Sequence, residues 1–129
     1  MERYWKTLVI KPNNMDIESL RQYCLQKPFA TEEFPFDDVT LVFKVAGKMF
    51  ACLPLDKPDM LVLKCDADYA VELRDRHSAI EPAWHFNKKY WNQHIISVLD
   101  DDLLRHLIDH SYAEVVKKLP RKVRTELNL

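Results

Sequence analysis

Glycine occurs once in these 129 residues. That excludes the phosphate-cradling loops and dinucleotide fingerprints of most cofactor enzymes, which need several glycines where backbone approaches the ligand. Cysteine is scarce as well. Cys24, Cys52 and Cys65 are odd in number, widely spaced and without a C-x-x-C, which fits neither a disulfide framework nor a zinc site. Reduced, buried thiols acting as small hydrophobes are expected. No charge-free apolar run approaches the roughly 20 residues of a membrane helix. In "MERYWKTLVIK" Lys11 ends the apolar run too early for a secretory signal, so a cytoplasmic protein is expected. Repeats, low-complexity tracts and Gly/Ser linkers are missing too.

What is present suits one folded domain. With 47% apolar and 30% charged residues, disorder is not expected. A net charge of -1 argues against the uniformly basic surface of a strong nucleic-acid binder, but the charge is unevenly spread. "TEEFPFDD" (31–38) and "DDD" (100–102) are acidic. No acid occurs from Pro82 to Leu99, and "KKLPRKVR" (117–124) carries five positive charges and no negative one.

Gly47 lies between the alternating segments "TLVFKV" and "KMFACL", where a tight hairpin needs a residue tolerant of positive φ. Leu41, Phe43 and Val45 then share one face, and Thr40, Val42 and Lys44 the other. "MLVLKC" (60–65) predicts a third strand with Leu61, Leu63 and Cys65 inward and Lys64 outward. Lys44 and Lys64 become candidates for one outer face, with Lys48 near the hairpin tip. Helices are expected over "MDIESLRQYCLQK" and "DADYAVELRDRH", each with a capping Asp, and over "DDDLLRHLIDHSYAEVVKKL", which acids begin, lysines end and Pro120 closes. "AWHF" and "HIISVL" read as two short strands. The predicted order is α-β-β-β-α-β-β-α, an α+β fold with an antiparallel sheet packed against helices. Residues 15–129 form the domain. Residues 1–14 are an N-terminal extension, read either as an added strand packing Trp5, Leu8 and Ile10 or as a start placed too far upstream.

Four of the fourteen aromatics fall in "AWHFNKKYWN" (83–92), around Lys88 and Lys89. One reading is a nucleic-acid contact: the lysines meet phosphates, Trp84, Tyr90 or Trp91 stacks on a base, and Asn87 and Asn92 donate to phosphate or base edges. The other makes Trp84, Phe86 and Trp91 core, with Asn87, Lys88 and Lys89 a turn. Lys117, Lys118, Arg121, Lys122 and Arg124 form a second phosphate-binding candidate; alternatively they complement exposed carbonyls at a helix end. His106 and His110 align with Asp102 and Glu114 at helical spacing, yet Leu107 stands where a zinc-protease motif needs an acid. Cys65, next to Asp66 and with His85 or His94 as base, is the remaining nucleophile; its inward face argues against it. "TEEFPFDD" reads as an exposed acidic loop anchored by Phe34 and Phe36.

"FPF" (34–36), "TLVFKV-GK-MFA" (40–51), "LKCD" (63–66), "HFNKKYWN" (85–92) and "DHSY-VV-KLP" (109–120) resemble the MmcQ/YjbR proteins in order and spacing. The resemblance implies a small bacterial protein with a frataxin-like or secretion-chaperone-like fold, and a "double-wing" DNA-binding function. It brings no set of catalytic residues. The resulting expectation is a non-enzymatic DNA-binding module, weak and of low sequence selectivity, without metal or cofactor. Its contacts would be Asn87, Lys88, Lys89, Tyr90, Trp91, Lys117, Lys118, Arg121 and Lys122. The alternative is an adaptor for a protein or small ligand, using an apolar sheet face or a groove beside Trp84 and Trp91.

Overall fold

A computed structural model describes residues 15–129; the extension 1–14, with its Trp5, Leu8 and Ile10, lies outside them. Asp16 caps the first helix, α1 (Ile17–Leu25), by accepting from the Ser19 amide at 2.8 Å, while Met15 and Leu20 on either side of the cap enter the core. Four strands follow: β1 (Ala30–Glu33), β2 (Thr40–Val45), β3 (Lys48–Pro54) and β4 (Met60–Lys64). Asp66 then caps α2 (Ala67–Arg76), β5 (Ile80–Pro82) and β6 (Trp91–Ile95) complete the sheet, and Asp100 caps α3 (Asp101–Lys117). A short α4 (Arg121–Leu127) ends the chain.

The six strands form one antiparallel sheet in the order β1-β2-β3-β4-β6-β5. Period-two alternation divides it cleanly. Leu41, Phe43, Val45, Leu61 and Leu63 face the helices and enclose the main core with Leu104, Leu107 and Ile108 of α3, which lies across β3 and β4. Val42, Cys52 and Val62 point the other way into a second, smaller cluster on the sheet face that no helix covers among the described residues.

A register shift between Phe43 and Lys44 turns both Phe50 and Ala51 of β3 inward. Ser111 of α3 secures this bulge: its Oγ donates to the Phe50 carbonyl at 2.5 Å and accepts from the Lys64 amide at 2.9 Å. One hydroxyl thus satisfies two ladder groups that the irregular pairing leaves over. The β2–β3 hairpin closes through Ala46 (φ 51°) and Gly47 (φ 78°), the paired positive angles of a type I′ turn.

Three sequence expectations need correction. Thr31–Glu33 are not loop but part of edge strand β1, held by paired charges: Arg21 binds both Glu32 oxygens at 2.7 and 2.6 Å, and Lys44 meets Glu33 at 2.8 Å. Phe34 and Phe36 do not anchor the segment, since both are exposed. "AWHF" is turn rather than strand; the strands around it are Ile80–Pro82 and Trp91–Ile95, so "HIISVL" contributes only its start. Beyond Pro120 the chain resumes helix as α4. Among the described residues no helix is long and apolar enough to cross a membrane.

Candidate functional site

The segment 83–90 leaves β5 and folds back over the outer sheet face before entering β6. Ala83 is buried in the second cluster, and Phe86 packs on Trp91 with ring centroids 5.2 Å apart. Asn87 accepts from the Lys89 amide at 3.1 Å, a local turn that spends its side-chain oxygen. Asn92 is fully buried, receiving Arg74 of α2 at 2.8 Å and donating to the Ala70 carbonyl; its expected phosphate contact is ruled out. The two readings of "AWHFNKKYWN" therefore divide within it. Phe86, half-buried Trp91 and Asn92 are packing groups, while Trp84 stays 56% exposed beside the exposed Lys88 and Lys89.

These cations are held over rings. Lys88 Nζ stands 4.5 Å from the Trp84 centroid, and Lys89 Nζ 5.4 Å from that of Tyr90. Lys118, from the end of α3, reaches the same Tyr90 ring at 5.2 Å. The two basic segments, far apart in sequence, meet there. Beside this meeting point Lys48, Met49, Lys64, Trp91, Val115, Lys118 and Leu119 line a hollow of about 430 Å³. Burial, and next the positive charge of Lys118, push the Lys64 ammonium below its usual range. The nearest acid on α3, Glu114, is engaged with Lys117 at 2.8 Å. Lys117 is thus a paired helix-end residue. Arg121 and Lys122 are exposed on the first turn of α4, with no ion pair among the described residues.

A larger groove of about 600 Å³ opens on the outer sheet face. Met49, Cys52, Met60 and Val62 form its floor, and Trp84, His85 and Phe86 one rim. Phe36, 68% exposed, stands among its lining residues together with Asp37. Asp37 accepts from the Val39 and Thr40 amides, which hold its carboxyl below the usual range. Met49 lines this groove and the lysine hollow alike, so the two adjoin. Sequence reasoning had named Lys48 and Lys64 only as surface lysines; their place beside Lys118 depends on the β4–β6 register, which sets Lys64 against Trp91.

The other candidates resolve into packing. His106 meets the Tyr69 hydroxyl at 3.2 Å, and His110 Nε2 accepts from the Asp66 amide at 3.1 Å while its ring packs edge-on against Tyr69. Among the described residues no group of three or more His, Cys, Asp or Glu side chains could hold a metal ion. Cys65 is buried, and burial pushes its thiol up to about 12, the opposite of what a nucleophile requires. His94 is buried with Nδ1 2.9 Å from the Leu61 carbonyl.

Comparison with known proteins matches this arrangement. The YjbR family model aligns with residues 25–114. The Escherichia coli K12 protein YjbR is 32% identical over 112 residues, covering 85% of this chain and 95% of its own. Escherichia coli O157:H7 YbdF is 32% identical over 111 residues, covering 81% and 88%. Among solved structures, Deinococcus radiodurans protein DR2400, with a DUF419 domain, superposes with a TM-score of 0.84 at 36% identity, over 93% of both chains. A Pseudomonas syringae protein, 22% identical with a TM-score of 0.63 over 75% of this chain and 96% of its own, shares the fold. Six antiparallel strands over one set of helices, a model matching most of the chain and near full-length relatives agree: the chain belongs to the YjbR family.

Proposed function

We propose that this protein is a non-enzymatic nucleic-acid-binding module whose phosphate site is the lysine hollow between α3, the β2–β3 hairpin and the 87–90 turn. One observation carries the reading. Lys89 and Lys118 converge on Tyr90 beside Lys48 and Lys64, and none of the four is in an ion pair among the described residues. Lysines held near one another raise each other's free energy; Lys64 is depressed first by burial and then by the charge of Lys118, and a polyanion relieves that second, repulsive part. Lys88 extends the site along the same turn. Lys117, tied to Glu114, loses a direct role, whereas Asn87 commits only its oxygen to the turn and keeps its amide nitrogen to donate to phosphate; Arg121 and Lys122 become peripheral contacts. A chain of net charge -1 would bind through this local field, hence weakly and with little base preference from phosphate contacts.

The test is fluorescence anisotropy with labelled oligonucleotides across a salt series. Three to four phosphates neutralised predict a log–log slope of about -2 to -3 on single strands, at roughly -0.7 per phosphate. Lys89→Glu with Lys118→Glu should abolish binding while the melting temperature stays within a few degrees, because both side chains are exposed. Unchanged affinity in the double variant would sink the reading.

A further inference from the structure

The groove adjoining the lysine hollow is apolar where the hollow is charged, and this pairing has a chemical meaning. A single nucleic-acid strand presents the same two surfaces at that scale, a charged backbone and flat aromatic bases. Resting on the nucleic-acid reading, we infer that the outer-face groove receives unstacked bases of a single strand whose phosphates run through the hollow.

Three features favour this occupant. The groove and the hollow share Met49, so a strand crossing from one to the other stays in contact with protein throughout. The Trp84 ring is 56% exposed at the rim and already holds Lys88 at 4.5 Å from its centroid, which sets a cation beside a stacking face. The volume, about 600 Å³, lies inside the roughly 300–1,000 Å³ of small-ligand clefts, enough for one or two bases but too narrow for a duplex. Thr40, His85 and Gln93 are polar groups at the walls; the Thr40 hydroxyl donates to Asp37 and the Gln93 amide to Glu81, which leaves their oxygens to accept from base edges. Among the lining residues the Asp37 and Asp56 carboxylates outnumber the one lysine, Lys57, so phosphate is favoured on the side of the lysine hollow, which gives the strand a direction.

The experiment compares three labelled probes of equal length at one salt concentration: a thymidine oligonucleotide, an abasic oligonucleotide and a duplex. The thymidine strand should bind about tenfold or more tightly than the abasic strand, the contribution of one or two stacked bases. It should also outbind the duplex. Trp84→Ala, at an exposed position where folding is not at stake, should remove most of the preference for bases and leave the salt slope unchanged. Lys89→Glu with Lys118→Glu should weaken the thymidine and abasic strands together. Equal binding of the thymidine and abasic strands, or a preference that survives Trp84→Ala, overturns the groove assignment while the phosphate reading stands. A duplex bound more tightly than the single strand overturns it as well. Failure of all three probes at low salt overturns both, and makes the groove a seat for a protein or a small apolar ligand.

Discussion

Asn92 and His94, two residues apart on the inner face of β6, are polar groups inside an apolar core, each with its partner. Because the Leu61 carbonyl can only accept, the His94 ring carries a proton on Nδ1, and burial keeps it neutral in the folded protein. Burial lowers its pKa from 6.5 to about 4. The unfolded chain therefore takes up a proton between those values that the folded chain refuses, and stability falls as pH drops from about 6.5 towards 4. The loss amounts to about 3 kcal/mol and is complete below pH ~4. Urea denaturation at pH 7.0, 5.5 and 4.5, on the native protein and His94→Gln, isolates this contribution. The difference between the two curves should shrink steadily towards acid; a constant difference would contradict a neutral buried imidazole. His94 was proposed from sequence as a general base, because nothing in a lone histidine on an alternating segment tells which way it points. The β4–β6 register decides that.

At the level of elements, what hydrophobic pattern and capping chemistry can express was legible. The inward sets of β2 and β4, the caps Asp16 and Asp66, and the hairpin at Gly47 all follow from period-two alternation and local hydrogen bonding. Elements that patterning misses were those held by something else. Strand β1 reads Ala-Thr-Glu-Glu and is fastened by ion pairs to Arg21 and Lys44, so it has no hydrophobic periodicity to detect. Helix α4 buries no residue; the proline at its N-terminus is its one signal, and in the sequence that proline reads equally as the end of α3. "AWHF" alternates like a strand but is a covering segment, its aromatics divided between groove rim and outer cluster. The β2–β3 hairpin also leaves stability unused. Ala46 sits at φ 51°, a region that costs an L-residue with a Cβ roughly 1 kcal/mol or more, whereas Asn followed by Gly suits a type I′ turn. Ala46→Asn should raise stability by about 0.5–1 kcal/mol in chemical denaturation. A loss there would mean that the turn is not type I′.

Across the molecule, among the described residues, the sheet carries helices on one side and, on the other, the chain between β5 and β6 together with the loop residues Phe36 and Asp37. The candidate site was half legible for that reason. Lys88, Lys89, Lys117 and Lys118 stood out as charge runs, but the meeting of Lys89 and Lys118 at Tyr90 and the pairing of Lys117 with Glu114 are facts of three-dimensional packing. Net charge was no guide, since Glu32 and Glu33 are neutralised where they stand and leave the lysine hollow unopposed at the other end. The same one-sidedness distributes the thiols. Cys24 and Cys65 belong to the helix-side core, while Cys52 lies beneath the groove. All three are buried, with thiols pushed up to about 12, 11 and 12 for Cys24, Cys52 and Cys65. At pH 8, Cys52 should be alkylated well before the other two, with the modified site read by peptide mass, because lifting residues 83–90 exposes it without unfolding the main core. Simultaneous modification of all three would mean that the layers open together. The molecule thus carries a chemical clock for each of its two layers, and the hand on the outer one should slow when a strand occupies the groove.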